Sequence, residues 1–542
     1  MAPLQVHVKH AGKTLDVDLE TSLPPAAFKD AIYQVTGVPP ERMKVMIKGG
    51  VLKDDTDWKK VAPKAGQTFM VIGAAGELPK PPEKPIVFLE DMDESEIAEA
   101  VRLFYLRSCG LLRVLFLQLS LPVGLKNLGN TCYMNATVQA MRAIPELQTA
   151  LSTSPHLDVL PRALRDLYSD MSRTTEGYIP NTFLSVLRQI VPQFGEVDRS
   201  GKNGILGGFA QQDAEECWTQ LANGLKEVPG IDATGNTVAG GRRFVDQFMM
   251  AEIRRELKCD EAPEEPSTVT IEKVLKVECN ISATTNYMHT GIKDALNSQL
   301  DKNSPSLGRQ AVYSQTSRLS RLPSYLTVHM VRFAWRRDIG KKAKIMRKVK
   351  FASEFDALEI VTDELKSKLT PVSSRLKSIE KERAERRKVR KRTKVAQEAS
   401  SSSRPAEESA DVEMAPTSEV VPGDLEEESI YRARELQELE GLADADLKND
   451  FGCSVTGLYD LVAIVTHKGA DADAGHYIGF VKKSVFHAKS GDGRAFDEDD
   501  EDWYKFDDDK VSVFPKEKLG TIDGGGEDAS AYVLLYRSKP LA

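Results

Sequence analysis

Cysteine is scarce in this chain, and its residues do not come in pairs. Six cysteines stand among 542 residues, and no two of them have a C-x-x-C spacing. The lack of paired spacings argues against a disulfide framework, so we predict a reducing compartment. The cytoplasm is the predicted location, and the basic cluster Lys388–Lys394, which could imitate a nuclear-import signal, leaves the nucleus open.

Long apolar runs and a large excess of one charge are also missing. No uninterrupted apolar run is long enough to cross a bilayer, and Met1 to His7 shows no secretory signal pattern. The formal net charge of -8 is modest and does not indicate a nucleic-acid binder. We therefore predict neither a membrane nor a nucleic-acid partner, and the length predicts two or more domains.

One cysteine stands in a setting that suits a nucleophile. Cys132 follows a glycine-containing turn, and Met134, Val138 and Met141 recur behind it at helical spacing. The thiol is thus predicted at a helix N-terminus, where unpaired N–H groups and the helix dipole favour thiolate. A free cysteine is more often a small buried hydrophobe, so this segment alone does not identify an active site.

A histidine and a run of carboxylates follow much later in the chain. His476 opens an alternating, strand-like segment, and Asp507–Asp509 follow an aromatic segment. Cysteine early, histidine late and a carboxylate beyond it is the order of a papain-like triad. Cys132 and His476 are the predicted nucleophile and acid–base, and the residues alone leave the choice among the three acids open.

Three further segments complete a family pattern. They are Gln211–Glu216, Leu322–Phe333 and Ala531–Tyr536. Together with the cysteine and histidine segments they resemble the ubiquitin-specific proteases, which are cysteine deubiquitinases. The matching segments span about residues 122–537. The resemblance implies an α+β fold with a papain-like protease domain of thumb, palm and fingers.

The resemblance also implies a reaction and its residues. The reaction is hydrolysis of the isopeptide bond between the C-terminal glycine of ubiquitin and a lysine amine. Asp507 matches the third triad residue of the family, and Asn127 matches its oxyanion-stabilising asparagine. The alternative for Asn127 is a turn asparagine that bonds its own backbone. A third implication concerns zinc: Cys259 and Cys279 stand alone where many family members carry paired cysteines, so no metal and no other cofactor is predicted.

The extended ubiquitin tail carries arginines and ends in two glycines, so it needs a narrow groove with acidic or amide partners. Gln212, Asp213 and Glu216 are candidates, with Asp213 the best family match, and Tyr477 is a further candidate to line the groove. The alternative for the acids is a helix N-terminus, where Asp and Glu are favoured without any ligand.

Residues 1–75 are predicted to form a module of their own. Alternating strands flank the turn Ala11–Lys13, and Phe28, Ile32 and Val35 fit one helix face. The order of elements resembles ubiquitin itself. Because the module lacks an exposed Gly-Gly tail, we predict a docking domain, with a partnerless stability domain as the alternative.

A ubiquitin-like domain ahead of this protease resembles the proteasome-associated members of the family. That resemblance implies docking on the regulatory particle of the proteasome and action on ubiquitin and polyubiquitin conjugates. It also implies loops that cover the tail groove in the free enzyme, here about Arg336–Lys344 and Gly469–Gly475, whose composition suits mobile loops.

Between the two predicted domains the sequence is unusual. Residues 76–92 read as a proline-rich linker, followed from residue 93 by an acidic helix and then by the apolar segment Val101–Ser120. Three arginines in that segment argue against a membrane span. It is either an amphipathic helix packed on the protease domain, predicted at 122–540, or translated intron sequence, which is our hypothesis because the flanks rejoin smoothly.

The protease domain carries a predicted insertion at 374–425. Ser374–Ala399 reads as a solvated charged helix, and Ser400–Gly423 as disordered. Two rival functions stay open at this stage. One is a non-catalytic scaffold that binds ubiquitin and the proteasome, and the other is a general papain-like peptidase.

Overall fold

The computed structural model describes a large part of the chain as two units. The described residues are 4–21, 23–36, 38–47, 50–54, 56, 58–73, 121–197, 208–238, 240–336, 340–401, 425–470, 475–486 and 500–541. The units are Met1–Cys109 and Gly110–Ala542. The predicted linker, acidic helix and apolar segment lie outside the described residues, as does most of the segment predicted to be disordered.

The first unit is a five-stranded sheet crossed by one long helix. Its strand order is β2-β1-β5-β3-β4, with β1 and β5 parallel. Its elements are β1 Leu4–His10, β2 Lys13–Leu19, α1 Pro25–Thr36, a 3-10 turn at Pro40–Arg42, β3 Lys44–Ile47, β4 Gly50–Val51, α2 Trp58–Val61 and β5 Thr68–Ile72. This is the ubiquitin-like β-grasp arrangement.

Alternation along the strands builds the core of this unit. Val6 and Val8 of β1 are fully buried, and Phe28 of α1 packs edge-on against Trp58 and Phe69. Val35 is predicted on the buried face of α1, but in the last turn of this helix it is 41% exposed.

The second unit combines a helical region, a large sheet and a smaller sheet. Its helices are α3 Cys132–Met141, α4 Pro145–Thr153, α5 Val159–Met171, α6 Asn181–Ile190, α7 Ala214–Gly224, α8 Phe244–Phe248, α9 Met288–Leu296, α10 Asp363–Ser401, α11 Glu428–Leu442, α12 Ala445–Asn449 and α13 Lys483–Phe486, with 3-10 turns at Pro192–Gly195 and Lys516–Ile522. Its strands are β6 Ala251–Cys259, β7 Thr268–Val274, β8 Lys276–Asn280, β9 Asn297–Ser304, β10 Arg309–Arg321, β11 Tyr325–Val331, β12 Phe333–Arg336, β13 Lys341–Lys344, β14 Glu354–Asp356, β15 Leu458–Lys468, β16 His476–Lys482, β17 Trp503–Asp507, β18 Lys510–Phe514 and β19 Ser530–Ser538. Within the described residues, no helix is long and apolar enough to cross a membrane.

The large sheet lies against the helical region. Its order is β18-β17-β16-β15-β19-β11-β8, and β14 pairs with β15. All ten residues of α3 are buried, and this helix packs against β16. Gly479 of β16 allows the close approach, because a Cβ there would lie 3.2 Å from the carbonyl oxygen of Ala136. The helix that begins at Cys132 is therefore fixed against the strand that begins at His476.

The smaller sheet, ordered β7-β6-β10-β9, extends from the large one. Cys259 at the end of β6 is buried beside Ala311 and Tyr313. Cys279 lies on β8 and donates a hydrogen bond to the carbonyl of Met288 at 3.4 Å. The two thiols thus belong to different packed clusters.

A long helical hairpin completes the unit. Helix α10 begins at Asp363, ahead of the predicted Ser374, because Leu365 and Leu369 are buried in the sheet core. Val372 and Leu376 continue that apolar stripe into a cluster with Leu439 of α11. The first half of the helix is therefore packed. In the charged second half, Arg383 and Arg386 are largely buried against Glu435 of α11, so the predicted solvated helix describes only the exposed face of this half.

Candidate active site

Cys132 is the first residue of the buried helix α3. A turn in which Gly129 and Asn130 both have positive φ brings the chain to the helix start. Thr131 precedes the cysteine with its hydroxyl turned back into that turn, where it accepts from the N–H of Leu128 at 2.9 Å. The side chain of Thr131 therefore leaves the helix N-terminus open at the thiol.

His476 faces the thiol from the start of β16. One ring nitrogen, Nε2, donates to Oδ1 of Asp507 at 2.6 Å, and the ring lies close enough to the Cys132 thiol to interact with it. The second carboxylate oxygen of Asp507 accepts from Nζ of Lys505 at 3.0 Å. Register explains the meeting: β16 and β17 are neighbouring antiparallel strands, and the histidine and the aspartate stand at the same end of the pair.

The electrostatics of these groups favour an ion pair. The hydrogen bond with the Cys132 thiol raises the pKa of His476 to about 9, with Asp507 adding to the effect and burial opposing it. Burial alone would raise the pKa of Asp507, but hydrogen bonds from His476 and Lys505 hold it below the usual carboxyl range. A protonated imidazole beside an ionised aspartate is the arrangement that activates a cysteine nucleophile.

Asn127 is locked in the turn before the cysteine. Its carbonyl oxygen accepts from the N–H groups of Gly129 and Thr131, at 3.0 and 3.2 Å. Its amide nitrogen donates to Oδ2 of Asp508 at 3.0 Å. A carboxamide nitrogen carries two N–H donors, so a second one remains for a substrate oxygen. The predicted turn role and the predicted oxyanion role are therefore compatible in one side chain.

Comparison with known proteins shows which family the chain resembles. The model of the family described as ubiquitin carboxyl-terminal hydrolase matches residues 123–536. Ubiquitin carboxyl-terminal hydrolase 6 of Schizosaccharomyces pombe is 38% identical over 541 residues, covering 99% of this chain and 100% of that protein. Ubiquitin carboxyl-terminal hydrolase 6 of Arabidopsis thaliana is 36% identical over 545 residues, covering 98% of each. Ubiquitin carboxyl-terminal hydrolase 14 of Caenorhabditis elegans is 28% identical, covering 98% of this chain and 93% of that protein.

The chain belongs to the ubiquitin carboxyl-terminal hydrolase family. It is a cysteine-type deubiquitinase, as predicted from the sequence. The predicted fold class is confirmed as well: a ubiquitin-like domain is followed by an α+β ubiquitin hydrolase domain.

The hydrolase site contains a carboxylate, Asp508, whose structural role was not predicted from the sequence. Asp508, in left-handed conformation at φ 55°, accepts from Asn127 and, through Oδ1, from Nδ2 of the buried Asn135 at 2.8 Å. Asn135 also donates to the carbonyl of Leu125 at 3.1 Å. Asp508 thus ties the turn before the nucleophile to helix α3. Asp509 beside it is exposed and matches the solvated acid expected in this run.

The predicted tail-binding residues of the hydrolase lie around the start of α7. Asp213 caps this helix, accepting from the N–H of Glu215 at 2.7 Å, and its other oxygen accepts from the Tyr532 hydroxyl at 2.7 Å. Burial raises the pKa of Asp213 despite those hydrogen bonds. Gln212 is buried, and Glu216 accepts from Nε2 of Gln220 at 2.7 Å. The contacts of Asp213 are those of the capping alternative.

Tyr477 lies in the core of the hydrolase domain and not on a groove surface. Its side chain is 1% exposed, because alternation along β16 turns it to the side opposite His476. There its ring packs edge-on against His467 of β15, which is also fully buried. Gly475 fits only as glycine, because its φ is 141° and a Cβ would lie 2.6 Å from Nε2 of His467.

A candidate cation cluster in the described residues coincides with this centre. Ligand atoms of His476, Asp507 and Asp508 lie within 4.8 Å of one another. The hydrogen bonds given above already account for this proximity, so the group needs no metal to hold it.

Proposed function

We propose that Cys132, His476 and Asp507 carry out the hydrolysis of the isopeptide bond at the C-terminal glycine of ubiquitin. The observation that supports this assignment is the imidazole of His476, which interacts with the Cys132 thiol and donates a hydrogen bond to the Asp507 carboxylate at 2.6 Å. Those three groups converge at the N-terminus of a buried helix, where negative charge on sulfur is favoured.

Each group has a defined step in this mechanism. The Cys132 thiolate attacks the glycine carbonyl carbon, and Asn127 with the Cys132 N–H stabilises the oxyanion. As the C–N bond breaks, the imidazolium of His476 gives its proton to the lysine amine, leaving a thioester. His476 then takes a proton from water, which attacks the thioester and releases the ubiquitin carboxylate. Asp507 keeps the ring oriented throughout.

A ubiquitin probe with an electrophilic C-terminus tests this assignment. The full chain should form a covalent adduct at Cys132, and Cys132→Ala should abolish it. Cys453→Ser is the matched control, because this thiol only donates to the carbonyl of Leu447, a bond that serine retains. Failure of the unaltered chain to react would leave the non-catalytic scaffold as the better function.

We also propose that the ubiquitin-like domain docks this enzyme on the proteasome regulatory particle. An exposed apolar patch on the open face of its sheet supports the proposal. Met46 is 38% exposed and lies opposite Met70 on β5 and Val51 on β4, and Met70 and Ile72 are each 53% exposed. A contiguous apolar patch on a small domain marks a protein interaction site.

Binding to purified proteasome tests the docking proposal. Met70→Asp places a charge in the centre of the patch and should weaken binding by at least ~10-fold, measured by surface plasmon resonance. Val35→Asp is the matched control: Val35 is 41% exposed but lies on α1, outside the patch, so binding should persist. Bound proteasome should raise hydrolysis of a ubiquitin reporter, and equal binding by both variants would refute docking through this patch.

A further inference from the structure

A lysine shares the Asp507 carboxylate with the imidazole of His476. Nζ of Lys505 donates to Oδ2 at 3.0 Å, while Oδ1 accepts from Nε2 of His476 at 2.6 Å. The imidazole alone would satisfy only one of the two oxygens. The lysine therefore completes the hydrogen bonding of a carboxylate that is half-buried at the reactive centre, with 35% of its side chain exposed.

The strands place this lysine beside the carboxylate. Side chains two positions apart on a strand point to the same face, so Lys505 and Asp507 of β17 lie side by side. On the neighbouring strand β16, Phe480 stands opposite Lys505 in the register and is only 2% exposed. The lysine thus begins in a packed part of the sheet, and its side chain is 31% exposed. This setting limits the directions that its ammonium group can take.

The charges around the imidazole are unbalanced without this lysine. Carboxylate oxygens of Asp507 and Asp508 lie within 4.8 Å of each other and of a ring nitrogen of His476. Like charges this close repel each other, and a thiolate at Cys132 adds a third negative charge to the centre. The protonated imidazole supplies one positive charge, and Lys505 supplies a second one.

We propose that Lys505 is a positioning residue: its hydrogen bond fixes the Asp507 carboxylate in the orientation that holds His476, and its charge moderates the pull of that carboxylate on the imidazolium. The proposal rests on the proposed function of Cys132, His476 and Asp507. The torsion that turns a carboxylate is broad, so a carboxylate bound at one oxygen only is free to turn. The ring that depends on it then loses alignment, and even small misplacement of a reacting group slows the chemical step.

The charge of Lys505 acts on both partners of the catalytic hydrogen bond. Burial would raise the pKa of Asp507, but hydrogen bonds from His476 and Lys505 hold it below the usual carboxyl range. The pKa of His476 is about 9, raised mainly by the Cys132 thiol and also by Asp507. Without the lysine charge, Asp507 would stabilise the imidazolium more strongly, and the ring would lose its proton at a higher pH. Removal of the lysine should therefore move the alkaline fall of kcat to higher pH.

Steady-state hydrolysis of ubiquitin carrying a fluorogenic C-terminal amide, measured with the full chain from pH 6 to pH 10, tests the proposal. Lys505→Met keeps an unbranched side chain and removes the charge and the donor. We expect kcat at pH 7 to fall about 10-fold, with KM within ~2-fold because the lysine acts through Asp507. The midpoint of the alkaline fall should rise by at least ~0.5 pH unit.

Two further variants separate the hydrogen bond from the charge. Lys505→Arg stays charged throughout this pH range and donates to carboxylates, so it should bring kcat to within ~3-fold of the unaltered chain. Its alkaline fall should stay where the unaltered chain has it. Lys505→Gln keeps a neutral N–H donor, so it should recover part of kcat while its alkaline fall moves to higher pH as in Lys505→Met.

Lys510 offers a matched control. It stands opposite Asp507 in the register of β17 and β18, but it is exposed, and within the described residues it forms no ion pair. Lys510→Met removes a lysine charge from the same hairpin and should leave kcat, KM and the alkaline fall as they are. Thermal unfolding of each variant checks that the fold is kept.

Any one of four results would overturn the proposal. They are a kcat of Lys505→Met within ~2-fold of the unaltered chain, an alkaline fall that stays in place or moves to lower pH, no recovery in Lys505→Arg, and an equal effect of Lys510→Met. If Lys505→Met does not fold, the pH profile of Lys505→Gln gives the same test. An unaltered chain that fails to react at Cys132 would instead refute the proposed function.

Discussion

At the scale of single residues, protonation controls the chemistry. The pKa of His476 is raised to about 9 by its bond with the Cys132 thiol, and Asp507 contributes. In the proposed mechanism the reactive form of His476 carries the proton that the leaving amine receives, so this form is present below the pKa and lost above it. We expect kcat to be level up to about pH 9 and to fall above it.

Replacing the Asp507 carboxylate tests whether it helps to raise the pKa of His476. Asp507→Asn removes a charge that raises the pKa of His476, so the alkaline fall of kcat should move to lower pH. Asp509→Asn, a change at an exposed neighbour, should leave the pH profile of kcat as it is. A profile that is the same in both variants would show that Asp507 does not tune the histidine.

We expect Asp508 to affect kcat by holding the side chain of Asn127 in place. Asp508→Ala removes the acceptor that holds the amides of Asn127 and Asn135, while the loop stays anchored by the N–H of Leu125 on the carbonyl of residue 508 at 3.0 Å. We expect kcat to fall on the order of 10²-fold, with alkylation of Cys132 unchanged, because Asn127, the proposed oxyanion donor, is lost from its position. An equal loss in alkylation would instead assign Asp508 to the nucleophile.

The role of a residue is easier to predict from sequence when it stands in a local pattern than when it depends on a hydrogen bond to a distant part of the chain. Cys132 and His476 stand out because a turn, a helix period and a strand period surround them. Asp508 does not, because its bond with Asn135 spans 373 residues and depends on a positive φ. Tyr477 was misplaced for a similar reason, since period-two alternation predicts two faces but not which one meets the core.

At the scale of elements, buried charges hold the helical hairpin together. Glu435 of α11 is 7% exposed and accepts from Arg383 and Arg386 of α10 at 2.7 and 2.6 Å. Removing the charge of Glu435 takes its carboxylate partner from Arg383, whereas Arg386 keeps Glu428, so the cost is at most about 3–5 kcal/mol. The charged helix was predictable from composition, but its pairing was not, because the segment between the helices carries no register signal.

Glu435→Gln should therefore open the hairpin. We expect faster hydrogen exchange and proteolysis in α10 and α11, with hydrolysis of a ubiquitin reporter within ~2-fold of the unaltered chain. Glu438→Gln is the matched control, because its pair with Arg375 is 46% exposed on the glutamate side and such exposed pairs contribute little to stability. Equal exchange in both variants would contradict the role of Glu435.

At the scale of the whole molecule, each unit has a core of its own. One cluster contains Val6, Phe28 and Phe69, and the hydrolase domain contains two much larger clusters. A chain of residues 121–542 should therefore fold and hydrolyse a ubiquitin reporter with kcat within ~2-fold of the full chain, but without stimulation by the proteasome. A full chain with Met70→Asp is the control and should behave in the same way.

The bond between Asn135 and Asp508 also has a consequence during synthesis. Helix α3 is synthesised early. Asp508, the partner of Asn135 in this bond, is synthesised 373 residues later. At about 5–20 residues per second, the ribosome needs roughly 20–70 s to cover that distance. His476 follows Cys132 by 344 residues, so a nascent chain carries the thiol for most of this time before the histidine beside it has been made.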